Sequence, residues 1–185
     1  MEFVKATIQD AEAKSLLAAT LERYGTLRYV FRDIGEVMTR RVDDRFAGEH
    51  DPDGNPWLPI KVRSYMMGYL RTGTGRRQGA YTRQGGFRAA FGRYLANKKI
   101  LQQTGALRGD IHYQYDDSHV EWGTSGRIPY AGIHQFGGQA GRGRKVTIPA
   151  RPYLGRNAGD GMEIAPGDRQ AAIEMLTGHL SGEQN

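Results

Sequence analysis

Residues 27–46, LRYVFRDIGEVMTRRVDDRF, carry the most regular pattern of the chain and decide its fold. Apolar side chains recur there at gaps of three and four residues, which is the spacing of one face of an α-helix. They are Leu27, Val30, Phe31, Ile34, Val37, Met38, Val42 and Phe46. Thr26 stands directly before them, where its hydroxyl can cap a helix N-terminus. The pattern predicts a helix over Leu27–Phe46 that buries one face in the core.

Two further helices are predicted, one on each side of this pattern. Upstream, Ile8–Arg23 places three leucines on one face, and Gly25 follows in the position of a C-cap. Downstream, Asp168–Leu180 carries alanine, isoleucine, methionine and leucine side chains at helical spacing. The upstream helix therefore forms an N-terminal pair with Leu27–Phe46, and the downstream helix closes the chain.

A β-hairpin is predicted between these helices. Leu107–Tyr115 alternates apolar and polar side chains, and His119–Gly123 resumes the alternation after the turn sequence DDS at 116–118. Val146–Ile148 is short and rich in β-formers, and it is predicted to add a third strand. Helices, then adjacent strands, then a helix favour an α+β fold. We predict one domain over residues 1–185, with the helix pair packed on a small antiparallel sheet and a C-terminal helix.

The charge of the chain is unevenly distributed. The net charge is +6, but residues 54–109 contain eleven of the 26 Lys and Arg residues and none of the 20 Asp and Glu residues. The remainder of the chain is therefore net negative. Such a basic block predicts contact with a polyanion or with the acidic surface of a partner protein. The alternative is a solvated basic loop without a ligand.

Within this block, residues 63–97 are rich in Gly, Arg and aromatic side chains and are predicted to form an insertion or loop. Gly86–Leu101 has a partly helical pattern, and Thr72–Gly86 is predicted to be a mobile loop. Aromatic side chains interleaved with Arg can stack on nucleic-acid bases. The alternative, which we favour for Phe87, Phe91, Tyr94 and Leu95, is the apolar face of a helix, because these residues are spaced by three to four.

No motif of the chain predicts catalysis, a metal site or a cofactor site. The five histidines lack metal-ligand spacing, and the glycine-rich stretch 73–79 matches no phosphate-binding loop. Asp51, Asp53 and Asn55 alternate as in a calcium loop, but Gly54 is misplaced and no bidentate Glu follows, so a plain turn is favoured. The chain has no cysteine and no apolar run long enough for a membrane span. We therefore expect a soluble protein that is made in the cytoplasm and is not an enzyme.

Residues 128–155, IPYAGIHQFGGQAGRGRKVTIPARPYLG, predict a docking segment. An aromatic helical turn leads into a double glycine, and the segment ends in a rigid run with two prolines. Limited backbone freedom lowers the entropic cost of ordering on docking. The candidate interface residues are Tyr130, His134, Phe136, Arg151, Pro152 and Tyr153. The alternative is that these side chains pack the core of their own subunit.

Three blocks of sequence together resemble the phage virion morphogenesis family, which includes tail completion proteins. The first is Arg45-Phe46 followed by DPDGNPWLP at 51–59, and the second is KILQQTGALR at 99–108. The third is YAGIHQFGG at 130–138 with IPARPYLG at 148–155. The resemblance covers most of the chain. Residues 63–97 are longer and more basic than expected for the family, so no role is carried over to them.

The resemblance implies a structural protein of the head–tail junction of a phage: a neck, tail completion or tail terminator subunit. Such a subunit forms a ring through which DNA passes, and it contacts other copies of itself and the adjacent connector and tail proteins. It assembles in the host cytoplasm and ends in the virion, without a cofactor, a small-molecule substrate or a membrane.

The basic block adds a second hypothesis about DNA. Four arginines in it are predicted to line the DNA channel or to face an acidic partner: Arg76, Arg77, Arg83 and Arg88. The alternative function is that of a free protein that binds nucleic acid through residues 54–109. Because the chain has no base-reading motif, that binding would be independent of sequence.

Overall fold

The computed structural model describes residues 11–159 and 161–181. Its helices are α1 (Ala11–Tyr24), α2 (Arg28–Gly48), α3 (Val62–Tyr69), α4 (Gly73–Gln78), α5 (Ala89–Ala96), α6 (Ala106–Gly109), α7 (Ala131–Phe136) and α8 (Pro166–Ser181). Its strands are β1 (Ile111–Tyr115), β2 (Val120–Thr124), β3 (Gly138–Ala140), β4 (Val146–Ile148), β5 (Arg156–Ala158) and β6 (Gly161–Glu163). The combination of helices with small antiparallel sheets confirms the predicted α+β fold.

Helix α2 is the centre of the core, as its apolar pattern predicts. Its stripe is almost completely buried, with Val30, Ile34, Met38, Val42 and Phe46 all at most 2% exposed. The cap at its start differs in detail from the prediction, because the first helical residue is Arg28. The Thr26 hydroxyl oxygen still accepts a hydrogen bond from the Arg28 amide at 3.2 Å.

The hairpin β1–β2 lies on α2. Its turn forms at the predicted place, where the Asp116 carboxylate accepts hydrogen bonds from the amides of Ser118 and His119 at 2.7 and 3.0 Å. Gly35 permits the close approach of the two elements, because a Cβ atom there would lie 2.2 Å from Cδ2 of Tyr113. Helix α8 packs on α2 as well, and α1 packs mainly on α8. Residues 8–10 of the predicted first helix lie outside the described residues.

The strand Val146–Ile148 exists, but it does not extend the β1–β2 hairpin. It pairs with Gly138–Ala140 in a separate two-stranded sheet, and β5 pairs with β6 in a third. Local pairing across short turns explains the difference, because each of these strands meets its partner within a few residues of chain. In place of one predicted sheet, the described part of the chain thus has three separate two-stranded hairpins.

The basic segment is more ordered than its sequence predicts. Helix α4 and a bridge between Tyr81 and Phe87 occupy the stretch predicted to be a mobile loop, and the helix predicted over Gly86–Leu101 is only Ala89–Ala96. A small apolar cluster holds α3 and α5 together around the fully buried Phe91. Phe87 precedes α5 and is 48% exposed, so it does not belong to the apolar face predicted for it. No described helix is long and apolar enough to span a membrane.

Candidate assembly interface

Gln135 fixes the run 153–157 from within the core. Its side-chain oxygen accepts hydrogen bonds from the amides of Tyr153 and Leu154 at 2.9 and 3.0 Å. Its side-chain nitrogen donates to the Gly155 carbonyl and to Oδ1 of Asn157, both at 2.9 Å. Gln135 is fully buried, so each of these bonds satisfies a backbone or amide group that has no access to water.

Arg45 ties the same run to helices α2 and α8. Its Nη1 atom donates to the carbonyls of Tyr153 and Leu154 at 2.9 and 3.1 Å. Its Nη2 atom forms an ion pair with Asp168, and both side chains are less than 5% exposed. Arg41 donates to the same carboxylate at 2.7 Å. A buried carboxylate thus has two guanidinium partners, which offset the cost of removing it from water.

The PWLP stretch at 56–59 packs against the other side of this run. Trp57 is buried with its ring edge-on to Phe46 at 5.5 Å, and its indole nitrogen donates to the Pro152 carbonyl at 2.9 Å. Arg151 donates through Nε to the Leu58 carbonyl at 2.9 Å. Burial lowers the pKa of Arg151 from its usual value. Trp57 is thus part of the apolar core, whereas Leu58 is 61% exposed.

The block at 99–108 wraps around the C-terminal end of α2. Lys99 Nζ donates to the Ala47 carbonyl at 3.3 Å, and the Gln102 side chain donates to the Phe46 carbonyl. These carbonyls belong to the last turn of a helix, where no intrahelical donor is left for them. Arg108 forms an ion pair with Asp43 of α2. The hydrogen bond from Arg108 lowers the pKa of the Asp43 carboxyl group.

The candidate interface residues separate into two groups. Tyr153 is fully buried and Arg151 is 4% exposed, so both lie in the core of their own subunit, the alternative that the sequence left open. Burial raises the pKa of Tyr153, whose hydroxyl donates to the Ala131 carbonyl at 3.1 Å. Pro152 is half-buried. Tyr130 and Phe136 remain on the surface at 39% and 40% exposure.

A groove of about 740 Å³ lies beside Tyr130. Its walls come from residues 59–65, 99–107, 130–134 and 145–151, which are far apart in the sequence. Four of its lining residues are cations, namely Lys61, Lys99, Lys145 and Arg151, and none is a carboxylate. We call this feature the basic groove. Sequence analysis did not find it, because the only signal was a set of scattered lysines.

His134 lines the basic groove, half-buried and edge-on to the Tyr130 ring at 5.7 Å. Burial lowers its pKa, and the nearby charge of Arg151 adds to this effect. Its Nδ1 atom is buried and has no hydrogen-bond partner among the described residues. The residue therefore contributes to the groove wall through other ring atoms, because its Nδ1 atom is closed off from solvent.

The four candidate arginines of the basic segment are all exposed. Arg77 Nε bonds the Gly73 carbonyl at 3.2 Å, and Arg88 Nε bonds the Tyr81 carbonyl at 2.9 Å. None of the four arginines forms an ion pair within the described part of the chain. The segment thus offers uncompensated positive charge to solvent or to a ligand.

The acidic side chains of the turn at 51–55 bond other groups of the same subunit. Oδ1 of Asp51 accepts from the amides of Asp53 and Asn55, both at 2.9 Å. Asp53 in turn forms an ion pair with Arg156. The plain turn predicted from the sequence is confirmed. Among the described residues, no group of three or more histidines and carboxylates is placed to hold a metal ion.

Comparison with known proteins identifies the family of the chain. The model of the phage virion morphogenesis family matches residues 8–180. The chain is also 54% identical over 54 residues to Mu-like prophage FluMu G protein 2 of Haemophilus influenzae. That match spans 29% of this chain and 38% of the length of the relative. No solved structure matches. The resemblance drawn from the three sequence blocks is confirmed, and the chain belongs to the phage virion morphogenesis family.

Proposed function

We propose that this virion morphogenesis protein is a ring-forming subunit of the head–tail junction, a neck, tail completion or tail terminator protein. The proposal rests on the exposed apolar side chains of the protein surface. Tyr130 and Val146 line the basic groove and stay 39% and 52% exposed, and Phe136 at the end of α7 is 40% exposed. Exposed apolar surface rimmed by polar groups is typical of a protein–protein interface. The ring would join tail to head and let DNA pass through it.

A ring also needs a second, different surface on each subunit. Leu21 and Tyr29 are exposed near the start of α2, at 47% and 63%. The basic groove lies near the other end of that helix, since its wall includes Lys99. Two separate adhesive surfaces at opposite ends of one element suit a head-to-tail contact that closes into a ring.

We also propose that the protein is not an enzyme and needs no cofactor or small-molecule substrate. Three buried polar side chains of the family blocks have structural partners. Arg45, Gln135 and Arg151 all bond backbone groups of the same subunit. A catalytic group, by contrast, has to face its substrate. The proposed partners are therefore proteins: other copies of this chain and the adjacent connector and tail proteins.

Inactivating the gene in its phage tests this function. We expect lysates that contain DNA-filled heads and complete tails, visible as separate particles by electron microscopy. Purified protein added to the lysate is expected to restore joined, infectious particles. Normal numbers of joined particles in the absence of the protein would contradict the proposal.

A second candidate function is weak, sequence-independent contact with DNA in the channel of the ring. The uncompensated arginines at 76, 77, 83 and 88 favour it. We expect Arg76→Gln, Arg77→Gln and Arg83→Gln together to leave ring assembly intact and to alter DNA retention or ejection. In a filter-binding assay, the salt dependence of log K should become less steep by about two to three, because each neutralised phosphate contact contributes about 0.9.

A triple variant outside the basic segment is the matched control. Lys14→Gln, Arg40→Gln and Arg127→Gln remove three exposed cations from elsewhere on the described surface. This control is expected to keep the salt dependence of the wild-type protein.

If the arginine triple variant binds DNA like wild type and infects normally, the channel hypothesis is wrong. Salt-sensitive assembly without DNA affinity would instead favour an acidic partner. Strong DNA binding by a protein that never assembles would favour the free nucleic-acid-binding function.

A further inference from the structure

The basic groove has the chemistry of a site for an acidic protein segment. Lys61, Lys99 and Lys145 are exposed, and no carboxylate lines the groove to neutralise them. Tyr65 and Tyr130 supply apolar walls beside them. Like charges held together in a concave surface raise the local potential and attract an anionic partner.

The turn between β1 and β2 of the same chain is acidic, and Asp117, Ser118 and His119 in it are exposed. Asp116 and Asp117 stand side by side at its tip, and the backbone amides of Ser118 and His119 hold the Asp116 carboxylate. Those hydrogen bonds lower the pKa of Asp116 to about 2, so it is ionised at neutral pH. Asp117 is exposed, and its carboxylate accepts a hydrogen bond from the Thr26 hydroxyl at 3.2 Å.

The groove and the turn lie at opposite ends of α2. The turn is anchored at the start of this helix, through the Thr26–Asp117 hydrogen bond and through Arg28, which lies over the Tyr115 ring at 5.3 Å. The groove wall is anchored at the helix end, where Lys99 bonds the Ala47 carbonyl. A helix of 21 residues is about 30 Å long. A subunit therefore cannot place its own turn in its own groove.

We propose that the basic groove of one subunit receives the acidic β1–β2 turn of a second copy of this chain. This inference rests on the proposed ring and identifies its contact. Each subunit carries one turn and one groove, so every contact uses two different surfaces. Such a heterologous contact repeats around an axis until the ring closes. The carboxylates of the turn then meet the lysines of the groove.

Charge alone is not enough to hold the ring together. A four-residue turn buries less than the roughly 1,000 Å² expected of a stable interface. The exposed Tyr130 and Val146 at the groove supply further apolar area that the neighbouring hairpin can cover. Closure adds stability, because each subunit in a ring is held by two contacts at once. We therefore expect assembly to be cooperative and to weaken as salt rises from about 0.15 M to 1 M.

Charge reversal on each surface tests the contact. The turn variant is Asp117→Lys with Ser118→Lys, and it keeps Asp116 because that carboxylate closes the turn. The groove variant is Lys61→Glu, Lys99→Glu and Lys145→Glu. Each variant alone is expected to assemble at least tenfold more weakly than wild type in mass photometry or light scattering. A mixture of the two is expected to associate, because the turn of each matches the groove of the other.

Thermal unfolding of each variant is the control for folding, since the substituted side chains are exposed. If a reversal variant misfolds, Asp117→Asn or Lys61→Gln with Lys145→Gln provides the test, with a smaller expected loss of assembly. Assembly of both variants like wild type, or a mixture no better than its components, would overturn the contact and leave the ring standing. A wild-type protein that stays monomeric would overturn the ring as well. A groove variant that self-assembles but no longer joins tails would assign the groove to another protein.

Discussion

Replacing Asp168 by alanine is expected to lower the free energy of unfolding by about 3–5 kcal/mol. The carboxylate is 1% exposed and pairs with Arg45, which is 4% exposed. Its removal leaves a guanidinium without its counter-ion in a site that water does not reach. Arg45 keeps its bonds to the carbonyls of Tyr153 and Leu154, so the charge cannot turn out to solvent without breaking the core. Urea denaturation at one fixed protein concentration measures the loss.

Asp53→Ala is the matched control for Asp168→Ala. Asp53 also forms an ion pair, with Arg156, but the two side chains are 30% and 40% exposed. Water and salt screen such a pair, and we expect its loss to cost about 0–1 kcal/mol. Equal losses in the free energy of unfolding for the two substitutions would contradict this prediction. They would show that burial does not determine how much the Arg45–Asp168 pair stabilises the fold.

The second large effect is expected for Gln135→Leu, which keeps a side chain of similar size and removes its polar atoms. The amides of Tyr153 and Leu154 and the carbonyl of Gly155 then have no partner for the bonds that Gln135 makes. Each buried unsatisfied group costs about 1–3 kcal/mol, so the loss of stability should reach roughly 3 kcal/mol or more. The same urea titration measures it.

Gln139→Leu serves as its control, because Gln139 is exposed and its side chain bonds the exposed Thr147 hydroxyl rather than a buried backbone group. We expect a change within about 0.5 kcal/mol. A loss below about 1 kcal/mol for Gln135→Leu would mean that the run 153–157 is held by other contacts.

Periodic segments were predictable from the sequence. The stripe of α2 and the alternation of the first hairpin each bury one face, so local pattern and tertiary packing agree. The basic segment was harder, because its small cluster around Phe91 joins residues from α3 and α5 that show no shared period. The pairing of β3 with β4 and of β5 with β6 was also missed, since three-residue strands give too little alternation to assign their partners.

The Arg45–Asp168 pair had a signal that sequence analysis did not use. Arg45 follows Val42 by three residues and Met38 by seven, so it lies on the apolar stripe of α2. A charged residue on a buried stripe needs a buried partner. The partner itself could not be named, because 123 positions separate the two residues and the first turn of α8 brings them together.

The blocks that carry the family resemblance prove to be largely structural. Arg45, Trp57, Gln135 and Arg151 converge on the run 151–157 and bond its backbone or, for Arg151, the backbone of 58–59. The resemblance therefore identifies the fold of the subunit. The surfaces proposed for assembly, the basic groove and the β1–β2 turn, are built largely from side chains outside those bonds.

Negative-stain imaging of the purified protein tests the central claim, that this subunit forms a closed ring. We predict particles of uniform diameter with a central hole. Their mass should be a whole multiple of the 20.6 kDa subunit. The fraction of subunits in these particles should fall as the salt concentration rises, because salt screens the carboxylate–lysine pairs of the proposed contact. Single 20.6 kDa particles at every protein concentration and at low salt would contradict it.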